Sequence, residues 1–112
     1  MISGNIPNTT EALFRKWSDE LGVDVAITEL DIRIKLPATP EKLKLQAEEY
    51  AYIAKACVNV KRCKGITLWQ YTDKYSWVPD FFEGEGDALP WTTDLQKKPA
   101  YTALLNALQG KK

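Results

Sequence analysis

The sequence predicts an α/β fold built on a pair of parallel strands, and three observations carry that prediction. Two short apolar runs rich in β-branched residues, 23–31 and 65–71, read as buried strands. Between them lies a helical pattern long enough for a crossover, and a right-handed strand–helix–strand connection makes the two strands parallel. Further helical patterns flank the pair, giving the order α-β-α-β-loop-α.

Each element has its own signature. The first helix opens at Thr9-Thr10-Glu11, with Asn8 or Thr9 as N-cap, and sets Leu13, Phe14, Trp17 and Leu21 on one face. Gly22 suits the left-handed position that ends it. After the first strand, residues 32–39 read as a loop. Thr39-Pro40 then supplies an N-cap followed by Pro at the first helical position. Leu43, Ala47, Tyr50, Ala51, Ala54 and Val58 keep helical spacing to about Asn59. The second strand gives way to a stretch from 72 to about 98 containing Pro79, Gly84, Gly86 and Pro90. Its length without a periodic pattern marks it as a functional loop. Residues 99–108 form the last helix, with Tyr101, Leu104, Leu105 and Leu108 apolar, ending near Gly110.

Two parallel strands are too few to stand alone. Both edges of such a pair are unpaired, and parallel sheets are stable almost only when extended and covered on both faces. The chain is therefore expected to be a section of a larger α/β structure, or to pair with other copies of itself.

Composition narrows the function. Fifteen basic residues balance fifteen acidic ones, so there is no broad positive footprint for nucleic acid or an anionic membrane. The local basic groups, Lys61-Arg62-Lys64 and the tail Lys111-Lys112, read as a solvated loop and terminus. No apolar run reaches the ~20 residues of a membrane span. The opening MISGNIPNTT has neither the basic nor the apolar region of a signal peptide. The absence of His removes His-based triads and most zinc or iron sites.

Successive strand side chains alternate faces, which predicts that Val23, Val25, Ile27, Glu29 and Asp31 share one. Carboxylates at Glu29 and Asp31, closing an otherwise apolar strand, are costly unless solvated or partnered. They read either as a salt-bridged rim pair or as ligand-facing groups, since the C-terminal strand end is where α/β barrels bind ligands. Asp31 alone also suits a loop cap, which makes Glu29 the more telling residue. The second strand ends at Trp69, and Tyr71, Tyr75 and Trp77 follow on a loop expected to overhang the same end. Trp69 is either a core plug or part of a stacking platform, because indole faces stack on the apolar faces of pyranose rings.

VAITELDIR, GITLWQYTDKYSW and KKPAYTALLNAL, taken together, resemble the last part of glycoside hydrolase family 10, the β-1,4-xylanases. The resemblance covers essentially residues 1–112. It implies a partial (β/α)8 TIM barrel: helix 6, strand 7, helix 7, strand 8 and helix 8, the C-terminal segment of a single catalytic domain. Glu29 then falls on the family's catalytic nucleophile, and Asp31 on a carboxylate that orients it in a relay with a strand-six His. Trp69 and Trp77 fall on the indoles lining the subsite of the attacked xylose. The implied substrate is xylan or xylo-oligosaccharide, hydrolysed with retention and without metal or cofactor. The implied partner is the remaining N-terminal barrel portion, or further copies of the chain. The family's acid/base Glu follows an Asn, and no Asn-Glu pair occurs in these residues. Two departures stand out: Val78-Pro79 where Arg usually follows Ser-Trp, and residues 89–94, LPWTTD, where L-L-F-D is usual.

The resemblance also implies a secreted parent enzyme, and related fungal enzymes carry a disulfide at the position of Cys57 and Cys63. Two reduced buried thiols are the other reading of that pair. Asn8-Thr9-Thr10 is an N-glycosylation sequon and equally a helix cap.

Overall fold

The computed structural model describes residues 1–110; the Lys111-Lys112 tail lies outside them. The elements run α1 (Thr10–Leu21), β1 (Val25–Leu30), β2 (Ile34–Lys35), α2 (Pro40–Val58), β3 (Cys63–Leu68), α3 (Val78–Phe81), β4 (Glu85–Gly86) and α4 (Pro99–Leu108). A 3-10 turn over Asp73–Tyr75 precedes α3.

β1 and β3 pair in parallel across α2, as the crossover requires. α2 starts where Thr39-Pro40 sets it, with the Thr39 hydroxyl accepting from the Lys42 amide at 3.2 Å. Tyr50, Ile53 and Ala54 of α2 meet Ala100, Leu104 and Ala107 of α4, and Leu30 and Ile32 complete this core. The cap of α1 is Thr9, without a side-chain hydrogen bond, rather than Asn8, which stands exposed in the preceding turn. Gly22 closes α1 at φ 65°.

Four expectations need correction. Residues 32–39 are not all loop. Ile34 and Lys35 pair antiparallel with Gly86 and Glu85, because Ile32 and Ile34 are fully buried and draw their backbone inward. The stretch 72–98 likewise contains a 3-10 turn, α3 and β4. It is pinned by the Thr72 hydroxyl donating to the Thr92 carbonyl at 2.7 Å and the Asp73 amide donating to that of Trp91 at 2.9 Å.

The strands are not buried along their length. Ala26, Thr28 and Thr67 face solvent while Ile27, Ile66 and Leu68 pack on the core. Among the described residues no other strand joins this sheet, so both its edges are unpaired. The apolar faces of the outer helices are also only partly used. Leu13, Trp17 and Leu21 of α1 are exposed, and Ser18 is the buried residue of that helix. In α4 the buried positions are Ala100, Leu104 and Ala107, while Leu105 and Leu108 point outward.

The departures from the usual family pattern have a structural setting. Val78 is fully buried at the start of α3, where it packs with Ala88, Leu89 and Phe82 in a second small core. Trp91 packs tilted against Tyr101, with ring centroids 4.7 Å apart. Lys61, Arg62 and Lys64 are solvated as expected, with Arg62 paired to Asp24 at 2.9 Å.

Cys57 and Cys63 are disulfide-bonded, tying the end of α2 to the start of β3. The chain-entropy model assigns about 2 kcal/mol to so short a loop. Replacing both cysteines by Ala should therefore lower the unfolding free energy by about that amount in a urea titration. No change in midpoint would show that the bridge does not stabilise this fold.

Candidate active site

The pairing of β1 with β3 shifts register twice, between Val25 and Ile27 and again between Ile27 and Leu30. Ile27 pairs with Ile66 and Leu30 with Leu68, so the register slips by one residue between them. Ile27 and Leu30 both pack on the core, and strict alternation over 23–31 does not hold across this step. The slip leaves Glu29, between them, facing solvent. One residue beyond the strand, Asp31 is 5% exposed.

The ladder brings Trp69 to the same end, since its amide donates to the Leu30 carbonyl at 3.1 Å. Trp77 arrives from the loop and donates its indole Nε1–H to Asp31 Oδ2 at 2.8 Å. The other carboxylate oxygen, Oδ1, lies 3.2 Å from the Met1 ammonium, which also donates to the Asp31 carbonyl at 3.0 Å. Glu29, Asp31, Trp69, Trp77 and Met1 together line an open cleft of about 330 Å³.

The two carboxylates are thus unequal. Asp31 is buried and holds charge-assisted hydrogen bonds with both oxygens. Glu29 is open to whatever enters the cleft. The indoles remain half-exposed, Trp69 at 47% and Trp77 at 36%, which leaves ring surface for stacking. Tyr71 and Tyr75 do not line the cleft; Tyr71 packs edge-on against Trp91 at 5.9 Å. The described residues contain no cluster of acidic or thiol side chains arranged to hold a metal ion.

Two features were not foreseen. The bond joining Asp31 to Trp77 crosses from one strand end to a distant loop, and no spacing rule reports it. Phe81 and Phe82 pack on Trp77, and Arg33 lies over the Phe82 ring; of these only the Phe81-Phe82 doublet at helical distance from Trp77 offers any signal in sequence.

An open carboxylate and two half-exposed indoles lining one cleft, near the C-terminal ends of parallel strands, define the class: an α/β unit with an aromatic, acidic cleft at its strand ends. Comparison with known proteins narrows it. The sequence profile of Glycosyl hydrolase family 10 matches residues 1–107. The chain is 49% identical over 106 residues to an endo-1,4-beta-xylanase of Agaricus bisporus, covering 95% of this chain and 32% of that protein. It is 58% identical over 89 residues to endo-1,4-beta-xylanase A of Fusarium oxysporum, covering 80% and 27%. Among solved structures it superposes on the Penicillium canescens endo-1,4-beta-xylanase XylE with TM-score 0.92 and 38% identity, covering 99% of this chain and 34% of that one. On xylanase 10B of Thermotoga petrophila, solved in complex with xylobiose, the TM-score is 0.86 at 38% identity, covering 97% and 34%.

The chain belongs to glycosyl hydrolase family 10. It spans about a third of the length of the relatives it matches.

Proposed function

We propose that these residues form the C-terminal part of a retaining endo-1,4-β-xylanase domain, with β1 and β3 as strands seven and eight of a (β/α)8 barrel. The observation that carries the reading is the cleft itself, where solvent-open Glu29 shares one wall system with Trp69 and Trp77. Glu29 is the nucleophile. Its carboxylate attacks the anomeric carbon of the bound xylose as the glycosidic C–O bond breaks. The leaving oxygen takes a proton from a second carboxylic acid about 5–5.5 Å away. Water then attacks the glycosyl ester, passing its proton to that second group, and Glu29 is released with the configuration retained.

Asp31 is buried and cannot be that acid, and no Asn-Glu pair occurs in the sequence. The acid/base must come from residues outside these 112. Loss of general-acid help costs about 100- to 10,000-fold, so the chain by itself has negligible xylanase activity. The parent enzyme is secreted, in keeping with the disulfide, and the exposed Asn8 sequon is open to glycosylation.

The test joins this chain to the complementary barrel portion of a relative and follows xylo-oligosaccharide hydrolysis by NMR. Turnover with the β-anomer formed first supports the reading. A folded, joined barrel that neither binds nor cleaves the sugar overturns it. The single open carboxylate supports a second reading, a non-catalytic xylo-oligosaccharide-binding unit, which predicts Trp fluorescence changes on titration but no turnover even in the joined barrel. On either reading, Trp69→Ala should weaken xylotriose binding by about 10-fold. An unchanged affinity would remove Trp69 from the sugar wall.

A further inference from the structure

The rear of Trp77 is built with more care than a loop residue needs. Phe82 meets the indole edge-on, with ring centroids 5.5 Å apart at 70°. The Arg33 guanidinium lies 3.9 Å from the centre of the Phe82 ring, and Arg33 Nε pairs with the Glu85 carboxylate. Both charged partners are held by backbone. Arg33 precedes β2 and Glu85 opens β4, and the β2–β4 pairing fixes the distance between them. Asp31 Oδ2 also secures the indole, accepting from Nε1. None of Arg33, Phe82 and Glu85 lines the cleft.

We infer that Arg33, Phe82 and Glu85 are positioning residues: with Asp31 they form a brace that sets the plane and depth of the Trp77 indole as a sugar-stacking wall. This rests on the proposed xylan reading for its ligand, but the brace itself is a property of the protein alone. Trp77 sits on a loop, where a free side chain would sample several rotamers and lose them on binding. Each immobilised side chain costs affinity, and holding it beforehand removes that cost. A planar guanidinium over an aromatic face, paired to a carboxylate, is an arrangement Lys does not reproduce. The brace also joins the two strand-end elements, β1 through Asp31 and the β2–β4 pair through Arg33 and Glu85, to one functional ring.

The 112-residue chain labelled with ¹⁵N provides the test, with the Trp77 indole N–H resonance assigned by its absence in Trp77→Phe. In Phe82→Leu and Arg33→Met, solvent exchange of that N–H should speed up by about 3- to 10-fold, with the other indole resonances and the far-UV circular dichroism unchanged. Arg33→Lys should recover little of the lost protection, and Glu85→Gln, the mildest change, should show an intermediate effect. Unaltered Trp77 exchange in Phe82→Leu and Glu85→Gln overturns the brace. Xylotriose titration forms the second arm, on this chain and on the barrel completed with a relative's complementary portion. Weakening of about 3- to 10-fold in Phe82→Leu, with kcat of the completed barrel unchanged, supports the positioning role. Wild-type affinity in a variant whose indole has loosened overturns it. If exchange responds and the completed wild-type barrel binds no sugar, the brace stands and the xylan reading is what has failed.

Discussion

On the proposed reading of Glu29 as nucleophile, Glu29→Ala should abolish turnover in a barrel completed with its acid/base, lowering kcat by at least on the order of 10⁴, because a nucleophile removed from a cooperating set takes most of the set's effect with it. The magnitude follows from the geometry. Glu29 is the one solvent-open carboxylate lining the cleft, so no neighbouring group can take over the attack. Binding should change little, since the stacking walls remain. The variant also offers a distinguishing chemistry. Azide entering the vacated space attacks the anomeric carbon of an activated aryl xyloside, the aryl–oxygen leaving group departs, and an α-xylosyl azide forms with inverted configuration. Loss of an acid/base would give the opposite anomer from the intact glycosyl ester. Turnover that survives Glu29→Ala, or a β-azide product, removes the nucleophile assignment.

The elements that proved legible in sequence are those whose signals are local. Thr39-Pro40, Gly22 and the β-branched runs each act within a few residues, and α1, α2, α4 and the two long strands lie close to where those signals set them. The short pairs Ile34–Lys35 and Glu85–Gly86 are too brief to show a period, and each exists only because the other is folded beside it. Burial was misjudged for a different reason. Apolar strands report what a complete sheet needs, whereas the exposure of Ala26, Thr28, Trp17 and Leu21 reflects what these residues alone supply. The cleft shows the same division. Glu29 and Trp69 are legible as residue types at strand ends, and Trp77 as an aromatic on the loop expected to overhang them. The slip at Ile27–Leu30 that frees Glu29, and the Asp31–Trp77 bond that fixes the far wall, are long-range results of pairing.

Lys98→Met should be the most damaging single change to stability, costing about 3–5 kcal/mol by leaving a buried carboxylate without its counter-charge. Lys98 Nζ lies 3.1 Å from Asp73 Oδ2, with side chains 4% and 6% exposed. It also donates to the Asp87 carbonyl at 2.6 Å, while Asp73 Oδ1 accepts from the Leu89 amide at 2.9 Å. This knot holds the 72–98 segment, and with it Trp77, against the start of α4. Burial pushes the Asp73 carboxyl up and the Lys98 ammonium down, each only partly offset by the other's charge. A raised carboxyl stabilises the fold fully below its unfolded value, near 3.9, and loses that contribution as pH rises through the folded value. A lowered ammonium contributes fully above about 10.4 and loses the contribution as pH falls through its folded value. Near neutral pH the pair therefore carries a net burial cost, and its worth lies in fixing the loop. Two outcomes follow for urea unfolding. The Lys98→Met penalty should shrink from pH 7 to pH 4 as Asp73 takes a proton. The double variant Asp73→Asn/Lys98→Met keeps a side-chain oxygen to accept from the Leu89 amide, and should recover about 2 kcal/mol relative to Lys98→Met alone. Equal penalties at both pH values, or a double variant as unstable as the single, would mean that the loop is held by the Thr72 hydroxyl and the Asp73–Trp91 backbone bond and not by this pair.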